Sequence, residues 1–175
     1  MGRSRRTMAS AKQAGRQFEH QIEHWLKWAF DDPRICRSRL HGARDIGDII
    51  NLYYMGHPVT IECKNTVNSR TGQPLDVWAQ YQEAVLEAAN NDSPYPVLLK
   101  KRDGVTDRDW RRAGGQLAII SEDMLFILQS NLQEPFRPVD WTTSRMAKHD
   151  LFGTNVTGLF TLINHGLPLG PEGEA

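Results

Sequence analysis

Apolar residues recur at helical spacing through Phe18, Ile22, Trp25, Leu26 and Ala29. That stripe predicts an amphipathic helix beginning near Gly15 and stopped by Asp31-Asp32-Pro33. The period then changes to two. A strand is predicted around Ile35–Leu40, and a second runs from Asp48 to about Tyr54. A third, Val59–Lys64, follows a Gly56-His57-Pro58 turn, with Thr60, Glu62 and Lys64 on one face and Val59, Ile61 and Cys63 on the other. Asp76 is placed to cap a helix reaching about Ala89, which Asn90–Pro94 breaks. Tyr95–Leu99 and Leu117–Ile120 read as strands. Residues 104–115 read as a loop, and Ser121 can cap a helix to about Asn131. The order of elements predicts an α/β fold, a mixed central β-sheet flanked by helices.

Beyond Gln133 the prolines at 135, 138, 168 and 171 interrupt the pattern and no period survives. The expected organisation is a disordered basic arm over 1–13, a core domain over 14–131, and an extension over 132–175. The length, 175 residues, suits one domain. No apolar run reaches a membrane span. Cys36 and Cys63 are too few for a disulfide framework or a four-thiolate zinc site, and a cytoplasmic location is expected.

The 21 basic and 21 acidic side chains cancel, but their distribution is uneven. Residues 1–44 carry ten Lys/Arg against four Asp/Glu, and residues 113–175 carry three against seven. Such asymmetry suits a polyanion-facing side and an opposite solvated side.

The chemistry sits on the second and third strands. An acid, Asp48, opens one, and Glu62-Cys63-Lys64 closes the other. Charges on apolar strands are costly unless paired or bound to metal. Asp48, Glu62 and the backbone carbonyl of Cys63 form an oxygen donor set suited to Mg2+, with Mn2+ as a substitute. Lys64 shares a face with Glu62 and is placed to orient a water or stabilise phosphorane charge. A three-residue loop at 55–57 would set Asp48 opposite Lys64 and Ile50 opposite Glu62, whereas a two-residue loop alone would turn Asp48 away. An odd-length loop or a bulge is therefore expected. The plain alternative is exposed charges on an edge strand. Asp45 is a rival for Asp48, though better suited to capping its turn. Glu19 and Glu23 flank the helical stripe, and either could reach the site. His20 and His24 have zinc-pair spacing but no third ligand, and read as surface residues.

Taken together, Gly15–Glu19, Gly42–Ile49, Glu62-Cys63-Lys64, Trp78 and Lys100-Lys101-Arg102 resemble the PD-(D/E)xK nuclease superfamily, and within it the small phage-encoded Holliday-junction resolvases. Gly47 stands where the family name has proline. The resemblance covers about residues 12–130. It implies an αβββαβ core, magnesium-dependent cleavage of branched DNA, a homodimer and, for a phage protein, the host cytoplasm. Glu19, Asp48, Glu62 and Lys64 take the catalytic and metal roles, and Gln80 (or Gln82) supports them. Arg37, Arg39 and Arg44 flank the site, and Lys100, Lys101 and Arg102 follow a strand; with Gln80 they form the expected DNA-binding set. Another nuclease of the same fold, end-processing or restriction-type, is the alternative, followed by a non-catalytic DNA-binding protein.

Overall fold

The computed structural model describes residues 8–39, 44–66 and 76–171. A long helix, α1 (Met8–Ala29), is followed by three short strands, β1 (Cys36–Arg37), β2 (Ile49–Ile50) and β3 (Tyr53–Tyr54), and a longer one, β4 (His57–Lys64). Helix α2 (Val77–Asn90) crosses to β5 (Tyr95–Lys100). A 3-10 turn (Trp110–Gly115), β6 (Leu117–Ser121), α3 (Glu122–Ser130), α4 (Ser144–Ala147), β7 (Leu151–Asn155) and α5 (Val156–Ile163) complete the chain. Among the described residues the sheet has seven strands in the order β1-β2-β4-β5-β6-β7, with β3 also on β4. Of these, β4 and β5 pair in parallel and the other pairs are antiparallel. A parallel pair needs a crossover, and α2 supplies it.

Both faces of the sheet are covered. Val59, Ile61, Val97, Leu99, Ala118 and Ile120 pack with α1, α3 and α5 in one large core. Leu98 and Ile119 point the other way, into a smaller cluster with Val77 and Tyr81 of α2 and Met146 of α4. That double burial explains why β5 reads as an unbroken apolar run. Sequence caps settle several ends: Asp76 accepts from Ala79 N (2.9 Å) and Ser121 from Met124 N (3.1 Å).

Three expectations about organisation change. Helix α1 starts at Met8, so residues 8–13 of the expected arm are helical; residues 1–7 lie outside the described residues. The 104–115 segment ends in a 3-10 turn. The segment beyond 131 is no appendage: β7 pairs along its whole length with β6, and Leu159, Phe160 and Leu162 join the main core. Among the described residues, no helix is long and apolar enough to cross a membrane.

The hairpin between β2 and β4 differs in detail from the expectation and agrees in consequence. Tyr54 pairs with His57, so the connection is a two-residue turn, Met55-Gly56, with both residues at positive φ (48° and 81°). His57 and Pro58 belong to the strand. An extra residue is then absorbed around Asn51, whose φ is 69°: Tyr53 pairs with Pro58 but Ile49 pairs with Ile61. The bulge restores the parity that a two-residue turn alone would have lost. The register is two residues away from the one expected. Asp48 lies across from Glu62, not Lys64. Its N–H donates to Ile61 O (2.7 Å) and its Oδ2 accepts from Cys63 N (2.7 Å), bracketing Glu62.

Candidate active site

Asp48 is held by its backbone. Gly47 precedes it at φ +96°, a conformation that disfavours side chains, and an added Cβ would stand 2.9 Å from Ile61 O. Glycine at this point lets the loop approach β4 closely enough for Asp48 to reach Cys63 N. Asp45 plays the capping role: its Oδ1 accepts from Gly47 N (3.2 Å), and its carbonyl accepts from Asn90 of α2 (2.9 Å). Asp48 is therefore the carboxylate at the strand and Asp45 the brace behind it.

Glu62 is 7% exposed and faces α2. Lys64 Nζ lies 2.5 Å from Glu62 Oε1 and 2.5 Å from Glu83 Oε2. Burial opposes the charge on Lys64, but its bonds to Glu62 and Glu83 outweigh that and hold its pKa above the ordinary lysine value. Glu62 also hydrogen-bonds to Asp48 on one side and to Glu87 on the other. Carboxyls this close must share protons. Burial, then the charge of Glu62, push Asp48 up to about 8, against the pull of the Cys63 N–H. Burial, the hydrogen bond to Glu62 and the charges of Glu62, Asp45 and Asp48 push Glu87 up to about 9. Glu87 was not among the residues singled out from sequence. The signal was available, since Gln80, Glu83 and Glu87 fall at i, i+3 and i+7 on one face of α2.

The cluster is rich in negative charge and short of positive charge. Glu87 Oε2 is buried with no hydrogen-bond partner. Among the described residues, no three His, Cys, Asp or Glu side chains are disposed to hold a metal ion as they stand. A magnesium site needs fewer, because one or two carboxylates with waters suffice. Asp48 and Glu62 supply two. In an extended strand a residue's C=O points to the same side as its N–H, so the Cys63 carbonyl is aimed towards the side from which Asp48 approaches. The donor set therefore fits a hard divalent cation, with the raised carboxyls as the place where protons stand in for it. The Cys63 thiol lies on the opposite face, where burial and then the Asp48 and Glu62 charges push its pKa well up, so it is no nucleophile.

Glu19 belongs to α1, on the other face of the sheet from α2. Its carboxylate pairs with Arg37 (3.9 Å), and its charge adds to the upward shift of Asp48. Glu23 is further committed, to Lys27 (2.8 Å) and Arg37 (3.2 Å). His20 and His24 are exposed and packed edge to face, their ring centroids 4.2 Å apart.

The expected DNA-binding residues divide. Arg39, Arg44 and Arg102 are exposed, and Arg102 lies 4.0 Å over the Trp141 ring. Arg37 is tied to α1. Lys100 and Lys101 require correction as surface contacts, being 1% and 7% exposed. Lys100 donates to Gln80 Oε1 and to Thr66 Oγ1 (3.2 Å), and Lys101 donates to the Val105 carbonyl. Their stems leave the end of a strand covered on both faces, so the ammonium groups turn to internal acceptors. Burial, then the like charge of Lys64, lower Lys100 to about 8. Gln80, likewise, braces Lys100 and Thr66 instead of facing outward. Trp78, part of the family resemblance, stacks on His149 at 4.6 Å.

Comparison with family models, with curated proteins and with solved structures finds no match. The functional reading therefore rests on this geometry and on the motif resemblance.

The raised carboxyls carry a pH signature. A carboxyl that holds its proton more tightly folded than unfolded contributes fully below its unfolded pKa of 4.5, and that contribution is lost as pH rises through about 9. Glu87→Gln keeps a neutral, hydrogen-bonding side chain and removes the titration. Its melting temperature should fall less than the parent's between about pH 5 and about pH 9, and saturating Mg2+ should narrow the difference. Parallel curves of melting temperature against pH would show that Glu87 is not in this cluster.

Proposed function

We propose that the protein is a metal-dependent, structure-specific DNA endonuclease that hydrolyses phosphodiester bonds in branched DNA such as a four-way junction. The observation that carries this is the convergence of Asp48, Glu62 and Lys64 at one end of β4, with both carboxyls on the same side of a bulged hairpin. Four strands separate α1 from α2; with β2 and β3 counted as the two halves of one arm broken at the Asn51 bulge, the succession and the parallel β4–β5 pair are in keeping with the core order that the family resemblance implies.

Asp48, Glu62 and the Cys63 carbonyl would hold Mg2+ or Mn2+. When bound, the metal acidifies a water and neutralises charge developing on the phosphate oxygens. The protein's own groups do the rest. Asp48, fixed by the Cys63 N–H, sets the position of the ligand cluster. Lys64, charged and half-buried, stands beside Glu62 to orient the attacking water and to stabilise the pentacoordinate phosphorus. Glu83 and Gln80 hold the two lysines at the ends of neighbouring strands, Lys64 and Lys100, in place. Exposed Arg39, Arg44 and Arg102 would contact phosphates without reading sequence. Symmetrical incision of a junction needs two such sites, which a two-fold homodimer would provide.

The test is incubation with Mg2+ and a panel of four-way junction, fork, nicked duplex, plain duplex and single strand. Paired incisions concentrated in the junction are expected. Degradation from ends would transfer the same site to an end-processing enzyme. Tight binding without cleavage in Mg2+ or Mn2+ would make the protein a DNA-binding module.

A further inference from the structure

A groove of about 1000 Å³ opens between α1, the 3-10 turn and α5, with Leu169 of the C-terminal segment also on its wall. Trp25, Trp28 and Trp110 line it, with Arg111, Arg112 and Thr157. Trp25 forms the floor, 6.0 Å from Trp28 and from Phe160 by ring centroids, and Trp28 and Trp110 stand 6.2 Å apart as half-buried walls. The Arg111 guanidinium lies 5.4 Å from the Trp110 ring centre, with its side chain 72% exposed.

The groove is not isolated. Gly104 and Val105 also line a second cleft, of about 440 Å³, whose other walls include Gln17, Arg102 and Arg108. Ala14 lines that cleft too, and its carbonyl accepts from Asn65, the residue after Lys64 (2.6 Å). Shared lining residues thus trace a path from near the end of β4, past the 101–112 loop, to the tryptophans. Residues 101–112 along it carry five Lys/Arg and three Asp. Of these, Lys101 turns inward to the Val105 carbonyl, Asp109 caps the 3-10 turn and pairs with Arg111 (3.4 Å), and Asp107 lies 3.4 Å from Asn65 Nδ2. The loop is also firmly built. Gln21, 2% exposed, donates to the Thr106 and Asp109 carbonyls (2.7 and 2.8 Å), and the buried Gln116 links Gln21 to the Arg102 N–H.

We propose that this groove binds an unpaired stretch of DNA strand, its bases stacked against Trp28 and Trp110 and its phosphates on Arg111 and Arg112. Half-buried indole rings beside exposed guanidinium groups suit bases whose π-faces are free, which paired bases inside a duplex do not offer; Trp110 is the main platform, since Gly170 lies against the Trp28 ring. The chemistry is tolerant of sequence, as the exposed arginines are. The direction of the path, from the scissile site outward, rests on the nuclease reading; the groove's affinity for single strands does not.

The experiment is a titration with a short oligodeoxythymidine in EDTA, followed by tryptophan fluorescence, for the parent, Trp110→Ala and Arg111→Glu. The parent should be quenched on binding. Arg111→Glu should weaken binding about tenfold or more, and Trp110→Ala should lose a comparable factor together with part of the quench. Arg111 is at the surface, so its variant reads binding even if Trp110→Ala folds poorly. No quench in the parent, or an Arg111→Glu curve superimposable on it, overturns the proposal. Cleavage separates the two readings. Binding and quench with no cleavage of any DNA would keep the groove and remove the nuclease. Cleavage by a parent that ignores oligodeoxythymidine would keep the nuclease and remove the groove.

Discussion

Asp48→Asn and Glu62→Ala should each reduce Mg2+-dependent cleavage of a four-way junction by about a thousandfold or more while leaving junction binding in EDTA nearly unchanged. The size follows from what is removed. A bound divalent ion supplies several kcal/mol of charge stabilisation, and each 1.36 kcal/mol is a factor of ten in rate. Asn at 48 is the more instructive change. It retains an oxygen to accept from Cys63 N, so the loop stays seated on β4, and it removes only the capacity to become a carboxylate. Since Asp48 holds its proton up to about 8 in the absence of a cation, the amide should cost little stability at neutral pH. A loss of cleavage with unchanged melting temperature thus points to chemistry. Single-turnover rates at saturating protein, with thermal denaturation alongside, make the measurement. Wild-type rates in both variants would exclude this cluster as the catalytic centre.

Phe160→Ala should cost about 3–5 kcal/mol, a large part of the total stability of a domain this size. Phe160 is fully buried and touches two aromatic neighbours, Trp25 of α1 and Phe30, each at 6.0 Å between centroids. A chain ended after residue 131 should fail to fold for the same reason, since it removes β7 from the edge of β6 and uncovers Trp25, Ala118 and Ile120. Urea denaturation of Phe160→Ala and circular dichroism of the shortened chain provide the readings. A cooperatively folded fragment 1–131 would show that the core closes without its last strand and helix.

The stretches most legible in the sequence were those with a strong period and a named cap. Helix α2 begins at its Asp76 cap and β5 fills the apolar run, because burial on both faces leaves such a strand little choice of sequence. The candidate site was legible as residue types in order, and its geometry only in part. Parity between Asp48 and Glu62 was a requirement of the proposed site, which called for an odd-length loop or a bulge; alternation along each strand could not supply it. The register was not legible either, because nothing marks Asn51 as the residue that takes a positive φ; asparagine tolerates that conformation but does not demand it. The start of α1 was placed late because Lys12 and Gln13, polar but good helix formers, give no apolar stripe. Leu151–Ile163 was lost among prolines, where a five-residue strand passes directly into a helix capped by Asn155 (2.6 Å to Gly158 N) with no polar break between them. Lys100 and Lys101 show a different limit. Charge along a chain reports composition, whereas the direction of a lysine leaving a doubly covered strand depends on its acceptors: Gln80, twenty residues before Lys100, and the carbonyl of Val105, which the loop after Lys101 folds back to present.

The Met55-Gly56 turn and the Asn51 bulge act as a matched pair. One sets an even count of residues, the other adds the odd one, and only together do they turn the acid of the first arm inward. The ribbon is consequently strict about how many residues it contains and lenient about which ones: swapping Tyr53 or Met55 leaves the acid where it is, while losing or gaining a single residue rotates it to the far surface. Length changes in this ribbon are therefore expected to keep the acid in place only in steps of two.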